Sequence, residues 1–389
     1  MSSLSNALRT SLCDLLNIRY PIIQAGMGGF TTPQLVAAVS NAGGLGILGA
    51  NRMTTEQTRD AIKKIKKLTT NPFGVNLLLA PPEKSGNQNI NKVQQFFNDK
   101  FRRELKIASK TEKDVNLPSS KLLEQLQIIL EEKIHVVSFA MGNLPTELVE
   151  KIHSSSSSSK IMSMVTTVQE AIDVVRNGTD IVVAQGAEAG GHRSTFNTNA
   201  SENETLPLIG TMTLVPQIVD TLSRIAEGGK HQGKKDEAYN IPVVAAGGIA
   251  DGRGLVAALA LGAQGIMIGT RFLVSRQSGA FQAYQERLLA ARESDTIITR
   301  AFSGRPARGL RNHFVEEYHK LGPQPLAWPF QALAADDIYT AAQKQNNADY
   351  FPLLAGQGVG LLKGSNQYDA EEIMQELVTQ ANQTLSKLR

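Results

Sequence analysis

One histidine and a set of glycine-bearing turns carry the chemistry open to this chain. Residues 184–196 read AQGAEAGGHRSTF and follow the apolar run Ile181-Val182-Val183. His192 therefore lies just past a strand end, behind Gly190-Gly191. Glycine leaves room for a flat ligand, and an imidazole with an ordinary pKa of about 6.5 can take a proton near neutral pH. The competing reading is an ordinary loop histidine.

Two further turns suit an anion. Ala246-Gly247-Gly248-Ile249-Ala250-Asp251 puts paired glycines between an apolar run and a helix start. Backbone N–H groups can approach a ligand there without a Cβ in the way, and the helix N-terminus beside them favours negative charge. Met267-Ile268-Gly269-Thr270 repeats the device after the next apolar run and adds a hydroxyl. One such turn is as readily a plain tight turn. Two at the last strands of a barrel form the habitual phosphate site of that architecture. Asn76 and Gln185 end apolar runs, where an amide can serve a ligand's polar ring edge or a structural hydrogen bond. Gly43-Gly44-Leu45-Gly46 precedes a strand and fails the dinucleotide fingerprint, which needs a helix after the glycines. No histidine pair has metal spacing, so no metal site is expected.

Positioning these turns requires a repeated strand–turn–helix unit. Apolar strands are predicted near residues 21–24, 45–48, 73–77, 134–138, 161–165, 181–184, 242–245 and 265–268. Helices are predicted between them, one starting at Thr32-Pro33 with a capping hydroxyl and proline at the first helical position. Strands buried on both faces read as unbroken apolar runs, as these do. About eight such units predict a TIM-type (β/α)8 barrel rather than an open doubly wound sheet. The barrel is expected over residues 1–278, with a polar insertion near 80–120 holding its own helix around 92–102. The tract Ser154–Ser159 reads as a loop on the face away from the chemistry. From Gly279 the alternation stops, and residues 279–389 are expected to form a smaller, mainly helical region near the barrel mouth. His135 opens a strand at the opposite end and is expected to be structural.

Bulk properties exclude several classes. The chain has 389 residues, 41% of them apolar, which suffices for a barrel core and a smaller additional region. The formal net charge is +4 with no dense basic run carrying aromatics, so nucleic acid is not an expected partner. Lys63-Lys64-Ile65-Lys66-Lys67 reads as the solvated face of a helix. A single cysteine, Cys13, excludes an internal disulfide and fits a reducing compartment. No apolar run approaches the roughly 20 residues that cross a bilayer. A cytoplasmic protein with no membrane partner is expected; oligomeric state is not legible.

The sequence also resembles a known family. Residues 21–29 (PIIQAGMGG), 41–46 (NAGGLG), 185–193 (QGAEAGGHR), 246–252 (AGGIADG), 265–272 (GIMIGTRF), 303–310 (SGRPARGL) and 355–358 (AGQG) are similar to motifs of the nitronate monooxygenases. The likeness runs from about Leu15 to Leu362. It implies a barrel that holds FMN noncovalently. By resemblance, Ala25, Gly26 and Met27 lie along the flavin ring, and Asn76, Gln185, Gly190 and Gly191 serve its polar atoms. Gly247, Gly248, Met267, Ile268, Gly269 and Thr270 hold the phosphate end, and His192 is the catalytic base. The implied reaction oxidises an alkyl nitronate, of the propionate 3-nitronate class, to a carbonyl compound and nitrite with molecular oxygen. A neutral nitroalkane would be used only if His192 removed its α-proton. The insertion, the serine tract and the loop near 194–207 depart from the pattern and leave the substrate pocket open, including which of Tyr318, Tyr339 and Tyr350 faces it. Two alternatives stand beside this reading: an FMN-dependent NAD(P)H reductase of the enoyl-acyl-carrier-protein or quinone type, and a non-catalytic barrel that binds a phosphorylated metabolite.

Overall fold

The apolar runs become strands wherever both faces can be covered, and eight of them close on themselves. The computed structural model describes residues 7–79, 89–117, 119–155, 159–197, 206–231, 241–362 and 368–388. Its strands are β1 (Ile22–Gln24), β2 (Leu45–Gly49), β3 (Phe73–Leu78), β4 (Val136–Ala140), β5 (Lys160–Val165), β6 (Ile181–Gln185), β7 (Gly191–His192), β8 (Val243–Ala246), β9 (Gly265–Ile268), β10 (Thr296–Thr299) and β11 (Ala307–Leu310). The order β1-β2-β3-β4-β5-β6-β8-β9 is a closed barrel, sealed by parallel pairing of β1 with β9 through Ile23 and Met267. The predicted (β/α)8 barrel is thus the fold.

Side chains alternate along each strand between two cores. Ile181, Val183, Val244 and Ala246 point into the barrel, while Val182, Ala184, Val243 and Ala245 pack under the surrounding helices. The helix Ser11–Leu16 plugs the bottom: Leu12, Cys13 and Leu16 join the interior, and Thr10 Oγ donates to the Gln264 carbonyl at 2.5 Å. The lone cysteine is therefore a buried free thiol.

Helix starts follow local capping chemistry. Thr32 Oγ accepts from Leu35 N at 3.1 Å at the head of the helix Pro33–Asn41. Asp251 accepts from Arg253 N at 2.9 Å at the head of Gly252–Ala260. The insertion's predicted helix is present as Ile90–Phe97, prolonged through a wider turn to Leu105. Its Phe97 and Phe101 pack on Phe314 and Tyr318 of the helix His313–Leu321, making a second core above the barrel mouth. Residues 80–88 of the insertion and 156–158 of the serine tract lie outside the described residues.

Two features of residues 279–389 differ from the sequence expectation. The segment contains a hairpin, β10–β11, whose second strand pairs antiparallel with β7. Each run is only four residues long, and the partner of β11, β7, is far off in sequence. Second, the final helix Ala370–Leu388 does not sit at the mouth. It packs on the outer wall against Gly252–Ala260 and Pro33–Asn41, the place of the eighth barrel helix. Only four helical residues, Thr270–Leu273, directly follow β9, so the wall is completed by the chain's end.

Candidate active site

Closing the barrel brings the strand ends to one rim, and a cleft opens there. Its empty volume is about 1320 Å³ including the open mouth. All fourteen residues singled out from the sequence line this one cleft: Ala25, Gly26, Met27, Asn76, Gln185, Gly190, Gly191, His192, Gly247, Gly248, Met267, Ile268, Gly269 and Thr270.

One side of the cleft is a glycine cradle. Gly247 and Gly248 adopt φ of +109° and +70°, a region that side-chain-bearing residues rarely enter. Thr270 Oγ accepts from Gly356 N at 3.1 Å, which leaves its own proton to donate. The loop carrying Gly356 and Gly358 closes over the cradle: a Cβ on Gly358 would lie 3.2 Å from the Gly248 carbonyl oxygen. A Cβ on Gly26 would lie 2.6 Å from Asn76 Cβ, so the backbone after β1 and the β3 amide touch with no room between them. Asn76 Nδ2 reaches Ser138 Oγ at 3.2 Å and the Ser138 carbonyl at 3.3 Å.

His192 sits on the other side in strand geometry, not in a loop. It is half-buried, and β11 holds it through the pair Ala307–His192. Arg193 N donates to the Pro306 carbonyl at 2.8 Å, and the buried Arg305 guanidinium bonds the carbonyls of Arg193 and Thr195. Gln185 spends its amide on the same segment: Nε2 donates to the His192 carbonyl at 3.0 Å and Oε1 accepts from Ser194 N at 2.9 Å. His192 Nε2 lies 2.7 Å from Ser303 Oγ, and Trp328 stands edge-on to the imidazole at 5.3 Å between centroids. Burial pushes the His192 pKa down to about 3, with the Arg305 and Arg52 guanidinium groups adding to the effect. The imidazole is neutral at physiological pH.

The comparisons with known proteins point one way. A family model described as "Nitronate monooxygenase" matches residues 9–380. The chain belongs to the nitronate monooxygenase family. It is 37% identical over 385 residues to a probable nitronate monooxygenase of Staphylococcus saprophyticus, covering 98% of this chain and 99% of that one. A second, from Staphylococcus haemolyticus, is 38% identical over 379 residues, 97% of this chain and 98% of the other. Among solved structures, a nitroalkane oxidase from Streptomyces ansochromogenes superposes with a TM-score of 0.80 at 31% identity, over 98% of this chain and all of the other. A FabK structure from Thermotoga maritima gives 0.71 at 29%, over 98% of both chains. Membership makes this chain an oxidoreductase, and the nitronate monooxygenase family implies a flavin.

As a nitronate monooxygenase the chain shows groups that sequence reasoning missed. Tyr318, Tyr339 and Tyr350 bond Gln331, the Phe302 carbonyl and Glu104, and none of them lines the cleft. Tyr284 does, with its hydroxyl donating to the Leu354 carbonyl at 2.7 Å. Ser303 and Trp328 reach His192 from more than a hundred residues away, where no spacing rule could find them. Met27, Phe30, Leu78, Met141 and Leu354 give the rest of the wall an apolar face. Among the described residues no cluster of His, Cys, Asp or Glu could hold a metal, and no helix is long and apolar enough to cross a membrane.

Proposed function

We propose that the cleft holds FMN and that the enzyme oxidises alkyl nitronates, of the propionate 3-nitronate class, with molecular oxygen to a carbonyl compound and nitrite. The observation that carries this reading is the neutral His192, whose pKa the Arg305 and Arg52 charges help to lower, beside a glycine cradle at the last two barrel strands. An anion is favoured there, and a nitronate is an anion whereas its parent nitroalkane is not.

The bound flavin supplies an electron acceptor for the nitronate and a route to oxygen. The chain's own residues do the rest. Gly247, Gly248, Gly269 and Thr270 seat the phosphate with backbone and hydroxyl donors. Ala25, Gly26 and Met27 lie along the ring, and Asn76 meets its polar edge. Gln185 acts at one remove, by fixing the backbone of His192. Met141, Leu78 and Leu354 keep water from the substrate's carbon. Arg52, exposed at the mouth with its stem beside Gly29, adds a positive charge on the entry side.

The deciding experiment is to purify the protein, release and identify its cofactor, then mix the oxidised protein without oxygen with ethyl nitronate and, separately, with NADH. The expected result is FMN, with the visible flavin band changing rapidly with nitronate and slowly with NADH. The likeness to the Thermotoga FabK structure keeps the NAD(P)H reductase as a second reading. Rapid full bleaching by NADH would replace the first reading with it.

A further inference from the structure

We propose that Ser303 holds His192 as its Nδ1–H tautomer, so that the ring presents a proton donor, not a lone pair, to the cleft. Ser303 is a positioning residue on this reading. Its hydroxyl has one proton and three polar neighbours: His192 Nε2 at 2.7 Å, the Arg305 carbonyl at 3.4 Å and Arg305 N at 3.4 Å. Given to the carbonyl, the proton makes one long, weak bond. Nε2–H would then have to donate across 2.7 Å, the short end of the roughly 2.7–3.2 Å range for N–H···O. Given to Nε2, the proton makes a short O–H···N bond, and Arg305 N–H completes the oxygen's acceptor side. A neutral imidazole whose Nε2 accepts must carry its proton on Nδ1.

The surroundings keep this choice in force. Ser303 is 3% exposed, so water does not compete for its hydroxyl. The β7–β11 pairing fixes the histidine backbone, Gln185 holds its carbonyl, and the Trp328 edge limits ring rotation. Burial and two guanidinium groups keep the ring uncharged, so one nitrogen stays bare. Nδ1 is the ring nitrogen left for the cleft. There an N–H can donate to a nitronate oxygen, while the α-proton of a neutral nitroalkane meets no acceptor. That consequence rests on the nitronate reading; the tautomer does not.

The test is nitrogen NMR of the flavin-loaded protein with ring-labelled histidine, the His192 signals being assigned by their loss in His192→Asn. A bare Nε2 and a protonated Nδ1 are expected in the wild type and in Ser303→Thr, which keeps the hydroxyl. Ser303→Ala should lose the preference, with both nitrogens moving to averaged positions. A protonated Nε2 in the wild type, or an unchanged pattern in Ser303→Ala, overturns the proposal. Kinetics give a second arm. The amide nitrogen of Asn overlays Nδ1, and that of Gln overlays Nε2. KM for ethyl nitronate should be roughly tenfold or more higher in His192→Gln than in His192→Asn, the size of a lost hydrogen bond to a charged group. Equal KM in the two variants would also overturn it. An enzyme inert to nitronate would sink the functional reading alone, since the NMR result is read without turnover.

Discussion

Gly248 concentrates the cofactor argument in one residue. Its φ of +70° costs any L side chain about 1–2 kcal/mol, yet a Cβ there would meet Glu188 Cβ at an ordinary 3.4 Å. Strain and charge can therefore be separated. Gly248→Ala is expected to fold and keep its flavin, whereas Gly248→Glu puts a carboxylate into the cradle and should lose most of its visible flavin absorbance per mole of protein. Full flavin content in the glutamate variant would place the phosphate elsewhere. His192 makes a second prediction at this scale. Its folded pKa of about 3 lies below the unfolded value of about 6.5. Between those values the unfolded chain binds the extra proton, so stability is present at higher pH and is lost as pH falls through 6.5 toward 3. From pH 7.5 to 5 the cofactor-free wild type should lose about 2 kcal/mol more than His192→Asn, at about 1.4 kcal/mol per unit. Equal losses, measured by denaturant unfolding, would mean that His192 titrates normally.

Elements show where the sequence was readable and where it was not. Every barrel strand announced itself, because a strand covered on both faces reads as a mainly apolar run, as residues 181–184 and Val243–Ala246 do. The glycine turns were legible for the same reason: their position after a strand is local information. The hairpin β10–β11 was not legible. It is stabilised by Arg305 and Arg308 bonding distant carbonyls, Arg308 Nε reaching Ala187 O at 2.9 Å, and such contacts leave no periodic trace. Gln185 left two readings open, a structural hydrogen bond or a ligand contact; its amide holds the His192 carbonyl and Ser194 N while the residue also lines the cleft, a combination only the fold can show. The last helix gave a strong helical signal but no hint of its seat. That seat is tight: a Cβ on Gly252 would lie 2.5 Å from the Leu377 carbonyl oxygen. Gly252→Ala should therefore push two helices apart and lower stability by about 1–3 kcal/mol, read from the denaturant midpoint. A neutral effect would mean that the contact gives without strain.

At the scale of the whole molecule, the helix Ala370–Leu388 decides how the chain divides. A sequence reader places a boundary near residue 278, where strand–helix alternation stops. The structure routes the chain from β9 through the hairpin and cap, then back to the wall it left unfinished. Ile373, Met374 and Leu377 are 0–1% exposed and join the core that also holds Leu35, Val39 and Leu255. Each fully buried side chain of this kind contributes about 1.5–3 kcal/mol, so the three give roughly 5–9 kcal/mol before the surface uncovered on the barrel is counted. Net stability of a protein is about 5–15 kcal/mol. A chain ending at Tyr368 loses an amount comparable to the whole, and it exposes an apolar stripe between two barrel helices. It is expected to accumulate as insoluble protein without flavin, although every cleft-lining residue named above is still present. Supplying residues 369–389 as a separate peptide during refolding should recover part of the flavin binding, because the seat on the barrel wall is formed by residues the truncated chain retains. A soluble, yellow truncated protein would show instead that residues 1–368 carry a self-sufficient barrel and that the last helix is only an appendage.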